Sequence, residues 1–206
     1  PPHIIAPGPV ASCTEAVHVD QRDRSILALY SHNPEVSQQE IADHLGLSQP
    51  SVAARVRKLR RSGMLTTRSG LNVARAGLHV GRVDLACNNT QALFGLLRGC
   101  PFFLNGFIVS GRRNISLWFV AENIATLEAI VDRHVRRLDW VDDVEFSIVI
   151  RSERDLIHTY PDTDRDRVRG EREGCVNHGR CEDCQSFTGG ACEGCPLSSA
   201  YRGKVL

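Results

Sequence analysis

The stretch "SQQEIADHLGLSQPSVAARVRKLRRSG", residues 37–63, carries the start and stop signals of two short helices in succession. Ser37 followed by Glu40 forms a capping box, in which each side chain satisfies a free backbone N–H at the helix start. Gly46 is the residue type that ends a helix with a positive φ. Ser48 is expected to cap the second helix, and the proline two residues later fits its first turn. Two short helices joined by a tight turn predict a helix-turn-helix.

The second helix has a buried stripe and a basic outer face. Val52, Val56 and Leu59 have the spacing of a buried helix face. Residues 48–68 contain six Lys or Arg side chains and no acid, although the formal net charge of the chain is only +1. A local basic patch of this kind attracts phosphate. The following "GMLTTRSGLNV", residues 63–73, predicts a hairpin that serves as a wing.

This pattern predicts binding to double-stranded DNA, with the second helix in the major groove and arginines on phosphates. An exposed, solvated helix face is the competing interpretation. The expected DNA-binding residues are Gln38, Ser48, Gln49, Pro50, Ser51, Ala54, Arg55, Arg57, Lys58, Arg61 and Arg68.

Outside this stretch the pattern changes twice. Upstream, "VDQRDRSILALYSHNP" predicts a helix capped by Asp20, preceded by a Pro-rich arm. Downstream, "LHVGRVDLA", "TQALFGLLRG", "FFLNGFIVS", "ISLWFVA", "ATLEAIVDRHVRRL" and "VEFSIVI" follow in the order βαββαβ, which is the ferredoxin-like arrangement of an α+β fold. Thr90 is expected to cap the first of these helices, and the last strand is expected to alternate as far as Ile150. The expected divisions are an arm (1–18), a winged helix-turn-helix domain (19–73), a ferredoxin-like domain for dimerisation or ligand binding (74–152), a charged linker (153–174) and a cysteine-rich module (175–206).

The last module, "CVNHGRCEDCQSFTGGACEGCP", has few bulky apolar residues and two Cys-x2-Cys pairs. Each pair can direct two thiolates at one ion or cluster, and a crosslink would offset the ordering entropy that so small a core cannot. The Cys-Pro ending and the fifth cysteine favour an iron–sulfur cluster, expected as 4Fe–4S; zinc is the alternative, and a metal-free thiol switch is a third. Four of five cysteines are expected to ligate, with Cys175 as the extra one: Cys175, Cys181, Cys184, Cys192 and Cys195.

The chain resembles the Lrp/AsnC family of leucine-responsive regulators in three stretches. They are "VDQRDRSILALYSHNPEVSQQEIADHLGLSQPSVAARVRKLRRSGML", "VSGRRNISLWFVAEN" and "VDDVEFSIVI", which together span residues 19–151. The resemblance implies homodimers paired through the sheets, which often assemble further. It also implies an effector pocket at a Gly-x-x-Asp turn, where this chain has Gly111, Arg112, Arg113 and Asn114. Asn in place of Asp removes a carboxylate that could pair with an amino-acid ammonium group.

We therefore expect a DNA-binding transcription regulator whose cysteine cluster senses redox state, oxygen or iron. One alternative is an amino-acid-responsive regulator with a structural zinc site; another is a tetrapyrrole decarboxylase of the same architecture. No nucleophile–base pairing or phosphate-cradling glycine loop indicates catalysis, so no enzyme is expected. The sequence lacks a secretory signal pattern and a bilayer-spanning apolar run, so a cytoplasmic protein without a membrane partner is expected.

Overall fold

The structure, a computed structural model, describes residues 18–159 and 180–206. The chain divides after Arg68 into two compact units, 1–68 and 69–206. The predicted arm up to residue 17, most of the predicted linker and Cys175 lie outside the described residues. None of the helices in the part that is described is long and apolar enough to cross a membrane.

The first unit is a three-helix arrangement, with α1 at Gln21–His32, α2 at Gln38–Leu45 and α3 at Gln49–Arg61. The capping box at Ser37 and Glu40 is confirmed, and Gly46 has φ 61°, as the helix-ending role requires. Ser48 caps α3 through its backbone carbonyl, which accepts from the N–H groups of Ser51 and Val52, instead of through the predicted side chain.

Each helix of this unit contributes to one apolar core. The fully buried side chains are those of Ile26, Ile41, Val52, Val56 and Leu59. The spacing of Val52, Val56 and Leu59, read from the sequence, therefore identifies the packed face of α3 correctly. Burial of such a stripe stabilises helices that are too short to be stable alone.

The second unit contains a four-stranded antiparallel sheet made of β2 (His79–Cys87), β3 (Phe103–Ile108), β4 (Ile115–Ala121) and β5 (Val141–Ile148). The strand order across the sheet is β3-β4-β2-β5. This is the ferredoxin-like order, with both helices in crossover connections. Phe119, Leu85 and Leu117 lie at the centre of its core. The helices of this domain are α4 (Thr90–Leu97) and α5 (Ile124–His134), and two short strands outside the sheet are β1 (Leu71–Asn72) and β6 (Ile157–His158).

Three local predictions are wrong. The hairpin predicted for 63–73 is replaced by a pairing of β1 with β6, a strand from the segment expected to be a linker. Asn89, rather than Thr90, caps α4, because its side-chain oxygen accepts from the N–H of Ala92. The alternation along β5 ends at Ile148, and Ile150 is 93% exposed.

Residues 180–206 form a compact segment with a 3₁₀ turn at Cys181–Asp183 and a short helix, α6, at Gln185–Thr188. We call residues 180–206 the cysteine segment. Its buried side chains are mostly sulfur-containing, since Cys181, Cys184 and Cys195 pack around Phe187.

Candidate nucleic-acid interface and cysteine cluster

Helix α3 presents a basic face opposite its buried stripe. Pro50, Ala54, Arg57 and Arg61 follow one another at helical spacing, and all four are exposed. Small side chains in the first turns and arginines further along suit a helix that enters the major groove at its N-terminal end. Arginines on this face can donate to phosphate oxygens without leaving a buried acid unpaired.

Arg55 and Lys58 have partners inside the first unit. Arg55 Nη1 lies 2.7 Å from Asp20 Oδ2 and 2.7 Å from Asp23 Oδ1. Lys58 Nζ lies 3.0 Å from Asp23 Oδ2 and donates to the backbone carbonyl of His18 at 2.8 Å. These ion pairs join the N-terminal end of α1 to α3.

The two carboxylates in this network stay ionised. Burial alone would raise the pKa of Asp23, but the hydrogen bonds from Arg55 and Lys58 outweigh it and place the pKa below its ordinary value. The pKa of Asp20 is lowered by the backbone N–H of Asp23 and then by Arg55. No sequence pattern indicates this network except the capping box, in which Asp20 and Asp23 each accept from the other's N–H.

All the expected DNA-binding residues have side chains that are exposed or partly exposed on the first unit. No comparison tests their contacts with DNA, so these contacts remain predictions. The exposed residues are Ser48, Gln49, Pro50, Ala54, Arg57, Lys58, Arg61 and Arg68, and the partly buried ones are Gln38, Ser51 and Arg55.

The side chains of the turn expected at the effector pocket bond to the neighbouring strands β2 and β5. The Asn114 side chain accepts from the N–H of Cys87 and donates to its carbonyl, both at 2.8 Å. Arg113 Nη2 donates to Asp143 Oδ1 at 3.1 Å, and this bond lowers the pKa of Asp143. Arg112 is 87% exposed and lies 3.4 Å from Asp143, and Gly111 has φ 120°. Asn114 suits this position because an ionised Asp could not donate to the Cys87 carbonyl.

Three of the four expected metal ligands that are described lie in one buried cluster with Phe187. Cys181, Cys184 and Cys195 are buried and Cys192 is half-buried. Burial raises the pKa of the Cys192 thiol, and the nearby Cys184 and Cys181 raise it further. Across residues 18–159 and 180–206, no three His, Cys, Asp or Glu side chains lie in an arrangement that would hold an ion as they stand.

Sequence reasoning missed how the cysteine segment packs on the ferredoxin-like domain. Glu122 Oε1, at the end of β4, accepts from the Tyr201 hydroxyl at 2.5 Å and from the N–H groups of Lys204 and Val205 at 2.7 Å. Burial alone would raise the pKa of Glu122, but these bonds outweigh it and the pKa lies below its ordinary value. Leu206 is buried in the core of the sheet domain.

A second contact lies at the start of α5. Asn123 Nδ2 donates to Glu193 Oε1 at 2.9 Å, and the Glu193 N–H donates to Thr126 Oγ1 at 3.2 Å. Glu193 lies between the last two cysteines of the cluster. The cysteine segment is therefore part of the second unit, and no local sequence pattern identifies Glu122 as its partner.

Comparison with known proteins gives relatives for most of the chain. Residues 19–66 match the family model described as winged helix-turn-helix DNA-binding. The leucine-responsive regulatory protein of Rhizobium meliloti (strain 1021) is 28% identical over 146 residues, covering 68% of this chain and 94% of that protein.

Solved structures share the fold at lower identity. Escherichia coli AsnC superposes with a TM-score of 0.61 at 20% identity, covering 66% of this chain and 95% of that chain. A transcriptional regulator from Neisseria meningitidis in complex with L-Met gives a TM-score of 0.60 at 17% identity, covering 70% and 97%. The Mycobacterium tuberculosis leucine response regulatory protein gives 0.58 at 20% identity, covering 69% and 100%. The chain is therefore similar to DNA-binding winged helix-turn-helix proteins over residues 19–66 and to a leucine-responsive regulator over about two-thirds of its length, and it shares the fold of AsnC.

Proposed function

We propose that this chain regulates transcription by binding specific duplex DNA through α3 and that its ferredoxin-like domain binds an amino acid. The observation that carries the DNA-binding part is the exposed face of α3, where Arg57 and Arg61 lie opposite the buried stripe. Residues 48–68 include no acid that would repel phosphate. The match of 19–66 to DNA-binding winged helix-turn-helix proteins supports the same conclusion.

The amino-acid part is supported by the relatives. One is named for a leucine response, and another was solved with L-Met. In this chain the exposed Arg112 guanidinium can donate to an amino-acid carboxylate, whereas Asn114 is already bonded to Cys87. We therefore expect the ammonium group to be bound by backbone carbonyls of the turn rather than by a side-chain carboxylate.

The other functions weighed from the sequence are less well supported. The matched proteins are regulators, which disfavours a tetrapyrrole decarboxylase. The relatives described above are named for transcription regulation or amino acids and not for redox state, oxygen or iron. Pairing into dimers through the sheets follows from the resemblance and is part of the proposal.

The test is a selection of bound sequences from a random duplex DNA library with the full chain, followed by fluorescence-anisotropy titration of the enriched sequence. We expect the enriched duplex to bind at least about a thousandfold more tightly than random duplex. Simultaneous replacement of Arg57 and Arg61 by Ala should weaken binding and reduce its salt dependence, because two phosphate contacts are lost. Arg24→Ala, an exposed arginine of α1, is the matched control and should leave affinity unchanged.

Failure to enrich any sequence would contradict the DNA-binding proposal. The amino-acid part is measured separately, by thermal unfolding of the protein with each of the common amino acids. A rise in melting temperature with one amino acid, lost in Arg112→Ala, is the expected result. No shift with any of them would contradict this part alone.

A further inference from the structure

The interior of the cysteine segment is made of cysteine to an unusual degree. Its four buried cluster members are Cys181, Cys184, Cys195 and Phe187, with Leu197 and Ala200 packed at the edge. A core so small buries too little apolar area to offset the ordering entropy of the segment, because each ordered residue costs about 1–2 kcal/mol. Something beyond apolar packing is therefore needed to hold it.

The backbone between the last two cysteines takes a left-handed conformation at Gly194. Gly194 has φ 87°, and a Cβ there would lie 3.0 Å from the Phe187 ring. Its N–H donates to Cys192 Sγ over 3.4 Å. In the other pair, the Cys184 N–H donates to the Cys181 carbonyl at 2.9 Å and closes a tight turn.

We propose that Cys181, Cys184, Cys192 and Cys195 bind one soft metal centre as thiolates, and that this centre holds the cysteine segment against α5 and the end of β4. A single zinc ion and a 4Fe–4S cluster share this four-thiolate chemistry. Loading releases the thiol protons to solvent. The proposal is independent of DNA binding and of the amino-acid site.

Within residues 180–206, the thiols do not stand in a coordination arrangement, so binding must move the sulfur atoms. Neutral thiols attract one another only weakly and thiolates repel, so nothing but the metal would draw four sulfurs to within about 2.3 Å of one point. The structure supplies three buried cysteines, Cys181, Cys184 and Cys195, packed around Phe187, and a half-buried Cys192 three positions before Cys195.

The cluster is linked to the sheet domain by short connections. Glu193 lies between Cys192 and Cys195 and contacts Asn123 and Thr126 at the start of α5. Arg202 stacks 4.0 Å from the Phe187 ring centroid, and its N–H donates to the Glu193 carbonyl at 2.8 Å. From there the chain continues to the bonds that Lys204 and Val205 donate to Glu122. An ordered cluster therefore fixes both ends of this contact.

The first experiment counts zinc, iron and acid-labile sulfide in the full chain purified without oxygen. One zinc per chain without sulfide assigns zinc, and iron with sulfide in equal amount assigns a cluster; either result supports the site. Cys184→Ser and Cys195→Ser should each lose most of the metal, whereas Cys100→Ala, a cysteine of the sheet domain, should retain it. A wild-type protein that neither carries nor takes up metal would overturn the proposal, as would full metal content in Cys184→Ser.

The second experiment tests the link in the wild-type protein, so that it does not depend on a variant that fails to fold. Hydrogen exchange is measured at the Lys204 and Val205 amides before and after the metal is removed with a chelator. We expect exchange at both amides to become at least about tenfold faster, because local opening no longer has to break the cluster. Unchanged exchange after complete removal of the metal would overturn the proposed link.

Discussion

Arg55 Nη1 lies 2.7 Å from Asp23 Oδ1, so a cation expected to meet DNA is bound to a carboxylate of α1 whose side chain has 0% exposure. Lys58 Nζ contacts the other oxygen of the same carboxylate at 3.0 Å. A buried carboxylate needs such partners, because its desolvation is otherwise uncompensated. Arg55 is thus a positioning residue that holds α3 on α1, and Arg57 and Arg61 are the better candidates for phosphate contacts.

The separation of these roles is testable with single substitutions. Arg55→Ala should lower the free energy of unfolding by about 1–3 kcal/mol, because Asp23 keeps Lys58 as its only side-chain cation partner among the described residues. Urea unfolding followed by circular dichroism measures this change. Arg57→Ala should leave stability within about 0.5 kcal/mol of wild type and reduce the salt dependence of DNA binding by about one unit of slope. Equal stability of the two variants would remove the positioning role.

The sequence predicted the first unit well because its signals are local. The capping box at Ser37, the helix end at Gly46 and the stripe of Val52, Val56 and Leu59 each involve residues within a few positions of one another. The order of helices and strands along the chain followed from the same local periodicity. The charges on α3 were a different case, since their neighbours on α1 are more than thirty positions away in sequence. Periodicity shows which side chains are exposed, but not which exposed cation finds an acid.

The parts that could not be predicted depend on contacts between distant residues. In the pairing of β1 with β6, Asn72 lies opposite Ile157, 85 positions away, and Leu71 lies opposite His158, 87 positions away. Glu122 bonds to Val205, 83 positions away. The cysteine spacing predicted a cluster without showing that it packs on α5, because Glu193, Asn123 and Thr126 carry no motif. Such contacts are set by tertiary packing.

Asn114→Asp tests why this chain departs from the family turn. We expect a loss of about 1–3 kcal/mol at neutral pH, because the Asn114 Nδ2 donor to the Cys87 carbonyl is replaced by an oxygen that repels it. Protonation of the new Asp would restore a donor, so the loss should shrink as the pH falls below about 4. Denaturant unfolding at neutral and acidic pH measures both effects.

Asn105→Asp is the matched control for this substitution. Asn105 is exposed on β3, and its side-chain oxygen accepts from the Gly106 N–H. Asp can accept in the same way, so the control should be close to neutral. An Asn114→Asp variant as stable as this control would show that the Cys87 bonds contribute little.

Gly203→Ala tests the close contact between the cysteine segment and the sheet domain. A Cβ at this position would overlap the Tyr201 hydroxyl and the Glu122 carboxylate. The backbone must shift or the hydrogen bonds must break, which should cost about 1–3 kcal/mol. Thermal unfolding and amide exchange at Lys204 measure the result. Gly99→Ala, where a Cβ meets open space, is the control. Wild-type exchange at Lys204 in the Gly203→Ala variant would contradict the contact.

Glu122→Gln should change how stability depends on pH. The pKa of Glu122 is lowered from its ordinary value of 4.5, since the bonds from Tyr201, Val205 and Lys204 outweigh the effect of burial. The unfolded chain therefore binds more protons at this site in the range between the two pKa values. The charge contributes its full stability above pH 4.5, and this contribution is lost as the pH falls through the lower folded value.

At pH 7 we expect Glu122→Gln to be about 1–2 kcal/mol less stable than wild type. The difference should disappear in strong acid. Urea unfolding from pH 2 to 7 measures both curves, with Glu128→Gln as an exposed control on α5. A difference that stays constant over this range would mean that Glu122 acts through its shape alone and that its charge does not hold the cysteine segment in place.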